Sequence, residues 1–393
     1  MRAPQLHVLS KTPYNAEPPS LAELAQYPIT PLRLAYARNH SEIKSLKSTA
    51  GTYAVRIDGE LQCLAKEKVI TYQDILLRFP RKEVVAALVC AGNRRAKMAE
   101  KTGKEVKGIK WGDGAACNIR WAGAPLREVL LSVGVPDGDH NSYEGFHVCF
   151  ASYVAPCEDD GYYGGSIPLA DAMSEEGDAL LAYEMNEELL TPDHGFPLRI
   201  VVPGTYGMRW VKWVDRITIS RQESPNFYQQ RDYKILPDTV TSKEVAESQG
   251  WWSRVPSMQH LACNSVVADV CRLTSRPDET RLKVAGYAYS RWPIARVEIS
   301  VDNGRTWEDA CIKYQEGRWS WALWEAELEV TLDEDAETIG LINIDEEENG
   351  RLKRNMVVLS RAIDSFGNEQ ELNYKWNLRG VGYSGLGERL VEV

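Results

Sequence analysis

Cys90 ends a short apolar run, in a segment whose residue types are able to bind a metal. The run Val84–Val89 predicts a buried strand, and the Gly-Asn pair behind the cysteine predicts a sharp turn. Arg94 and Arg95 follow the turn, and cationic neighbours favour the thiolate, the form of cysteine that binds metals. A buried structural cysteine is the other interpretation of this segment. The segment by itself leaves both interpretations open.

The composition restricts the class of protein. The chain has 393 residues, of which 44% are hydrophobic and 26% charged, as expected for a globular protein with two domains. Its eight cysteines include no C-x-x-C pair, and the Cys/His spacing does not fit a zinc site. The formal net charge of -10 argues against nucleic-acid binding. An anionic substrate would therefore have to be attracted by a local cluster of arginines.

The sequence contains no targeting signal that we can identify. No apolar run approaches the roughly 20 residues that cross a bilayer. The first residues lack the apolar core of a secretory signal and the arginine-rich character of a transit peptide, and the last residues do not form a peroxisomal signal. We therefore expect a cytoplasmic protein with neither a membrane nor a nucleic acid as partner.

The pattern along the chain predicts an α+β protein with two domains. In residues 1–245, apolar runs alternate with glycine-rich turns and with helical stretches such as Pro125–Val133, after a proline-containing arm at 1–30 that is predicted to lie on the surface. Residues 246–393 show short alternating strands and a tight turn at 302–304, which predict an Ig-like β-sandwich. The predicted strands are Leu282–Tyr289, Arg296–Val301, Trp319–Glu325, Thr338–Ile344 and Met356–Ile363.

A series of ordered motifs resembles the sulfite oxidase family of molybdopterin enzymes. The motif CAGNRR (90–95) resembles the family segment whose cysteine ligates molybdenum. The other motifs are PYNAEPP (13–19), YARNH (36–40), GIKWGDGAACNIRWAGAPLREVL (108–130), GGSIPLADA (164–172), LLAYEMNEELLTPDHGFPLRIVVPG (180–204), VKW (211–213), DYK (232–234) and WNLRGV (376–381). So many motifs in one order are far more specific than any single one. The resemblance implies a mixed α/β molybdopterin-binding domain at 1–245 and an Ig-like dimerisation domain at 246–393.

The resemblance also implies the residues of the site. Cys90 would ligate molybdenum beside the soft dithiolene sulfurs of molybdopterin. Arg38, Arg95 and Arg379 match positions that line an oxyanion pocket, where planar guanidinium groups bind bidentately, and Tyr233 matches an active-site tyrosine. Arg379 would come from the second domain. The residues that match cofactor contacts are Tyr36, Ala37, Arg38, Asn39, His40, His194, Arg199, Trp210, Val211 and Lys212, of which Trp210 replaces a small residue.

The activity implied by the resemblance is the molybdenum-dependent oxidation of sulfite to sulfate. Assimilatory nitrate reductases share the motif but typically carry asparagine and methionine where this chain has Tyr233 and Arg379. A nitrate reductase-type domain and a non-catalytic molybdopterin-binding protein are the alternatives. Because we find neither an H-P-G-G motif nor a Rossmann glycine motif, we expect the haem-free plant-type branch. A homodimer is then expected, with dioxygen accepting the electrons and giving hydrogen peroxide, or an external cytochrome in its place.

Overall fold

The chain forms two compact units that do not follow the predicted division at residue 245. A computed structural model describes residues 6–138, 140–276, 279–330, 341–348, 351–372 and 374–392. Unit 1 comprises Met1–Pro19, Pro31–His260 and Lys375–Tyr383, and unit 2 comprises Ser20–Thr30, Leu261–Tyr374 and Ser384–Val393. The chain therefore passes between the units more than once. In particular, Arg379 belongs to unit 1 and not to the second domain, where the sequence analysis had put it.

Two five-stranded sheets and a hairpin build unit 1. Its strands are β1 (His7–Lys11), β2 (Tyr14–Glu17), β3 (Ala54–Gly59), β4 (Lys68–Thr71), β5 (Lys82–Val89), β6 (Ala116–Pro125), β7 (His147–Ser152), β8 (Tyr163–Pro168), β9 (Leu180–Met185), β10 (Glu188–Leu189), β11 (Arg199–Val201) and β12 (Arg216–Ser220). One sheet has the order β10-β9-β6-β5 with β11 paired to β9, and the other has the order β4-β3-β12-β7-β8. The pairing of β12 with β3 is parallel, whereas β12 with β7 is antiparallel.

Short helices lie between these strands. They are α2 (Tyr72–Arg78), α3 (Arg95–Thr102), α4 (Leu126–Ser132), α5 (Leu169–Met173), α6 (Lys243–Ser248) and α7 (Trp251–Arg254), and a π-helix covers Tyr228–Asp232. Helix α4 confirms the helix predicted at Pro125–Val133. The predicted strand Val84–Val89 is also confirmed, as the buried part of β5. Because β5 is buried along this length, its carboxyl end carries the chain directly into the interior of unit 1.

The prediction of a surface arm at residues 1–30 is wrong for the end of the hairpin β1–β2. Asn15, Ala16 and Glu17 are buried, and the backbones of Ala16 and Ala37 exchange two hydrogen bonds of 3.0 and 2.9 Å. Only β1 is largely exposed. The alternating apolar and polar residues of Tyr14–Glu17 thus pair with the YARNH segment, and β2 is an inner element of unit 1.

Unit 2 is a β-sandwich, as predicted. It contains α1 (Leu21–Leu24), β13 (Asn264–Arg276), β14 (Glu279–Tyr289), β15 (Ile294–Ser300), β16 (Glu308–Asp309), β17 (Cys311–Tyr314), β18 (Ala322–Val330), β19 (Leu341–Glu348), β20 (Arg351–Asp364) and β21 (Gly387–Glu392). The sheets have the orders β13-β14-β18-β17 and β16-β15-β20-β19, and β21 pairs with β20. Residues of both sheets share one hydrophobic core, which includes Val284, Trp324 and Val358.

The predicted strands of the sandwich agree with the observed ones apart from their ends. The tight turn at 302–304 is present as well, with φ of +59° at Asn303 and +82° at Gly304. Residues 338–340 of the predicted strand Thr338–Ile344 lie outside the described residues, and its remainder falls in β19. Among the described residues, no helix is long and apolar enough to span a membrane.

We expect Gly286→Ala to destabilise the sandwich. A Cβ at this position in β14 would lie 2.0 Å from the carbonyl oxygen of Val266 and 2.3 Å from Cζ2 of Trp324. Overpacking a well-filled core in this way costs about 1–3 kcal/mol of unfolding free energy. The midpoint of urea denaturation, followed by tryptophan fluorescence, measures the loss. Gly51→Ala is the control, because a Cβ there has no atom within 4 Å; equal midpoints for the two variants would contradict the prediction.

Candidate active site

Cys90 follows β5 directly and is buried in unit 1. Its backbone N–H donates to the carbonyl oxygen of Ala115 at 2.9 Å, which extends the pairing of β5 with β6 as far as the cysteine. The backbone N–H of Gly92 donates to the sulfur, with 3.4 Å between N and Sγ. A hydrogen bond to the charged form stabilises a thiolate. The turn behind β5 therefore prepares Cys90 to act as a metal ligand.

Cys90 lines a cavity in unit 1 that has an empty volume of about 670 Å³. The predicted residues that line the cavity are Tyr36, Arg38, His40, His194, Arg199, Trp210, Lys212 and Tyr233. Ala37, Asn39 and Val211 are buried and are not part of the lining. Most of the predicted cofactor contacts are thus brought together around the thiol, although they come from distant segments of the chain.

The guanidinium of Arg38 is held by neutral acceptors. Its Nη1 donates to Asn15 Oδ1 at 3.0 Å and, at short distance, to the carbonyl oxygen of Asn39. Its Nη2 donates to Nδ1 of His40 at 3.1 Å. Nearby tyrosines and Cys90 raise the pKa of Arg38 above its ordinary value, although burial opposes this shift. Arg38 therefore carries a full charge that its hydrogen-bond partners do not neutralise.

Arg95 is held in the same way, by carbonyl oxygens. Its Nε and Nη1 donate over 2.7–3.1 Å to the backbone oxygens of Ile109, Arg379 and Gly380. A Cβ at Gly92, Gly108 or Gly380 would lie within 2.6–2.8 Å of its side chain. The glycines thus leave the space that this side chain fills. Burial lowers the pKa of Arg95 to about 10, so the guanidinium stays charged at neutral pH.

Arg379 differs from the other two arginines, because a carboxylate holds it. Its Nη2 lies 2.6 Å from Oδ2 of Asp232, the last residue of the π-helix. Burial raises the pKa of Asp232, and the charge of Arg379 opposes that shift. Single π-turns are uncommon and occur frequently at functional sites. Here the π-helix brings Asp232 to Arg379 and places the next residue, Tyr233, at the cavity.

His40 connects Arg38 to Tyr233. Because a guanidinium only donates, Nδ1 of His40 has to accept, and the ring proton lies on Nε2. Nε2 is 2.7 Å from the hydroxyl oxygen of Tyr233 and donates to it. Burial, helped by Arg38, lowers the pKa of His40 well below its ordinary value, and burial raises the pKa of Tyr233 to about 12. Both groups are therefore neutral at pH 7, and Tyr233 keeps its own proton to donate.

The basic side chains of Lys212, Arg199 and His194 lie around another part of the cavity. The Nζ of Lys212 donates to the backbone oxygens of Arg38 and Asp193 at 3.0 and 2.7 Å, and burial lowers its pKa to about 7. Burial lowers the pKa of Arg199 to about 10 and that of His194 to about 4. Within the described part of the chain, the buried Nε of Arg199 has no hydrogen-bond partner. This part of the cavity suits an anionic group such as a phosphate.

The side chain of Trp210 is packed in the same part of the cavity as Arg199. Its indole is buried, donates from Nε1 to Thr205 Oγ1 at 3.0 Å and meets Trp121 edge-on at a centroid distance of 5.6 Å. The guanidinium of Arg199 lies 4.7 Å from the ring centroid of Trp121. The tryptophan that replaces a small residue is therefore packed together with the side chains that hold this cation.

The residues fit a molybdenum–molybdopterin cofactor. In the part of the chain that the structure describes, no group of three or more His, Cys, Asp and Glu side chains is placed to hold a metal. The thiol of Cys90, which lines the cavity and accepts from the backbone N–H of Gly92, suits a metal whose other sulfur ligands come from a dithiolene. The unpaired Nε of Arg199 and the amine of Lys212 suit the phosphate of the cofactor.

The residues that hold two of the arginines were not predicted from the sequence. Asn15 holds Arg38, and Asp232 holds Arg379. Both lie inside the quoted motifs PYNAEPP and DYK, so the motifs already marked these segments as part of the family resemblance. Their roles follow from contacts with residues that are 23 and 147 positions away, which spacing alone does not reveal.

Family models match both parts of the chain. The model of the oxidoreductase molybdopterin binding domain matches residues 40–228, and that of the Mo-co oxidoreductase dimerisation domain matches residues 255–386. Sulfite oxidase from Gallus gallus is 38% identical over 97% of this chain and 76% of its own length. Sulfite oxidase from Arabidopsis thaliana is 36% identical over 97% and 92%. An NADH nitrate reductase from Brassica napus is 33% identical, but over only 40% of its own length.

The fold is found in a solved structure as well. The sulfane dehydrogenase SoxCD from Paracoccus pantotrophus superposes with a TM-score of 0.70 over 97% of this chain and 85% of that chain, at 24% identity. Together, the thiol at the end of β5, the cation-rich cavity and relatives at 36–38% identity over nearly the whole chain lead to one conclusion. The chain belongs to the sulfite oxidase family of molybdenum oxidoreductases and uses a molybdenum–molybdopterin cofactor.

Proposed function

We propose that this protein oxidises sulfite to sulfate at the cavity lined by Cys90. The observation that carries the proposal is a pair of guanidinium groups, the half-buried one of Arg38 and the buried one of Arg95, whose acceptors are all neutral. Two uncompensated positive charges near a thiolate form a site for a small oxyanion. When bound, the molybdenum cofactor supplies the two-electron redox chemistry.

The side chains of the chain bind and orient the anion. Arg38 and Arg95 are fixed by backbone and amide groups, so little reorganisation accompanies binding. Arg379 adds a third guanidinium, whose fork is held on one side by Asp232. Tyr233 keeps its proton at neutral pH, because its pKa is raised to about 12, and its hydroxyl is able to donate to a bound oxygen. Burial of these groups excludes water and strengthens each electrostatic contact.

Sulfite is favoured over nitrate as the substrate by the same residues. Tyr233 and Arg379 stand at the two positions that distinguish the activities in the sequence analysis. Tyr233 is buried and Arg379 is half-buried, and both side chains are hydrogen-bonded, Tyr233 to His40 and Arg379 to Asp232. A non-catalytic pterin-binding protein would have no use for the ordered guanidinium groups, of which that of Arg38 lines the cavity together with Cys90.

We also propose that dioxygen accepts the electrons, giving hydrogen peroxide, and that the protein is a homodimer. The near-full-length similarity to the plant relative supports the choice of acceptor, with an external cytochrome as the alternative. The similarity of residues 255–386 to a dimerisation domain supports the homodimer.

The molybdenum-loaded protein is expected to oxidise sulfite with uptake of dioxygen. An oxygen electrode measures the uptake, and reduction of cytochrome c in parallel samples measures the alternative acceptor. Nitrate with a reduced viologen dye is the control for the rival activity. Nitrate reduction without sulfite oxidation would contradict the proposed function, whereas turnover with cytochrome c alone would contradict only the acceptor.

Cys90→Ser is expected to abolish sulfite oxidation, because a serine oxygen does not replace a soft thiolate on the metal. Turnover and the molybdenum content per protein chain are measured together. The matched control is Cys271→Ser, since Cys271 is exposed and lies in unit 2. Full activity of Cys90→Ser would overturn the assignment of the ligand.

Arg379→Met is expected to raise the KM for sulfite by about 10- to 100-fold, with a smaller effect on kcat. The substitution removes a positive charge and leaves the buried carboxylate of Asp232 without its partner, so the pocket becomes less attractive to an anion. Steady-state kinetics with sulfite measure both constants. Arg56→Met, which breaks an exposed ion pair with Glu67, is the control. An unchanged KM in Arg379→Met would refute its role in the pocket.

A further inference from the structure

Asn15 lies directly behind the anion pocket, in strand β2. It is 1% exposed, and all its side-chain contacts are made within the protein. Its Oδ1 accepts from Arg38 Nη1 at 3.0 Å and from the backbone N–H of Asn39 at 2.8 Å. Its Nδ2 donates to the carbonyl oxygen of Pro13 at 2.8 Å. The amide therefore has one defined orientation, with its oxygen towards the guanidinium of Arg38.

The segment that carries Arg38 is tied to β2 by further contacts. The side-chain amide of Asn39 donates to the carbonyl oxygen of Tyr14 at 2.7 Å, and Ala16 pairs with Ala37. These contacts fix the backbone of Asn15 relative to that of Arg38. A substitution at Asn15 therefore changes the position or the charge of Arg38 directly, and no flexible loop between them compensates for it.

The side chain of Asn15 that binds Arg38 is neutral, and this determines how much charge Arg38 keeps. Among the described residues, no carboxylate forms an ion pair with Arg38, whereas Arg94 and Arg379 pair with Asp113 and Asp232. An amide oxygen accepts a hydrogen bond from a guanidinium group, and the guanidinium group keeps its net charge of +1. A carboxylate in the same place would bind more strongly and cancel the charge.

A carboxylate does lie on the same face of β2, two residues further on. Glu17 accepts from the backbone N–H of Gly112 at 3.1 and 3.2 Å, and burial raises its pKa. Its charge is thus directed to the backbone of another segment and not to Arg38. Strand β2 thus carries two polar side chains with different partners: the acidic Glu17 binds the backbone of Gly112, and the neutral Asn15 binds Arg38.

We propose that Asn15 is a specificity-determining positioning residue: its neutral amide oxygen fixes Arg38 and leaves the charge of Arg38 for the anionic substrate. The inference rests on the proposed function, since it needs an oxyanion to bind at Arg38. Asn15 touches neither the cavity nor the substrate and acts only through the guanidinium that it holds.

The test is Asn15→Asp in the molybdenum-loaded enzyme. The new carboxylate has the shape of the amide but pairs with Arg38, so we expect kcat/KM for sulfite to fall by about 10- to 100-fold, mainly through KM. The inhibition constant of sulfate should rise in parallel, because the product anion meets the same loss of charge. Molybdenum content and the midpoint of thermal unfolding are measured on the same sample.

Asn15→Ala and Asn186→Asp are the companion variants. Asn15→Ala removes the anchor without adding a charge, and we expect a KM between those of the wild type and Asn15→Asp. Asn186, in the turn between β9 and β10, accepts from the backbone N–H of Arg120, and its aspartate variant adds the same charge away from the pocket. We expect its kinetics to match the wild type.

Three outcomes would overturn the inference. They are an unchanged KM in Asn15→Asp, equal losses in Asn15→Asp and Asn15→Ala, and a loss in Asn186→Asp as large as that in Asn15→Asp. If the aspartate variant does not fold, an unchanged KM in Asn15→Ala has the same consequence. Wild-type protein that does not oxidise sulfite would instead contradict the proposed function itself, so the two failures are distinguishable.

Discussion

Taking a guanidinium group out of water costs free energy unless its donors are satisfied and its charge is balanced. Arg38 and Arg95 satisfy their donors with amide, imidazole and carbonyl groups, none of which balances the charge. Unit 1 thus holds positive charge in its interior near Cys90. The fold therefore provides, beside the cavity that Cys90 lines, a local positive potential that the net charge of -10 does not provide.

The elements of unit 1 are arranged to hold these charges in place. Strand β5 ends at Cys90 and presents it inside the fold, and the glycines around Arg95 leave the volume that its side chain fills. The π-helix ends at Asp232, which binds Arg379, and the next residue, Tyr233, lines the cavity. Each of these features is local in sequence. Each positions a side chain only through contacts with residues that are far away in the chain.

The segment that carries Arg379 shows how the two units share the chain. It leaves unit 2 after residue 374 and re-enters it at residue 384. In unit 2, the backbone N–H of Glu371 donates to the carbonyl oxygen of Ser384, and Gln370 donates to that of Gly385 at 2.6 Å. The two ends of the segment are therefore tied to each other by hydrogen bonds within unit 2.

The sequence by itself determined the cofactor class, the family and the sandwich, and it predicted Cys90 as the metal ligand, because strand ends, turns and motifs are local patterns along the chain. The placement of Arg379 in unit 1, the burial of β2 and the pairing of Asn15 with Arg38 were decided only by the tertiary structure. Periodicity shows which residues of a strand share a face, but not what that face meets. Whether an arginine is paired with a carboxylate or with an amide depends on segments that are far apart in sequence, and this choice decides whether its charge remains available to a substrate.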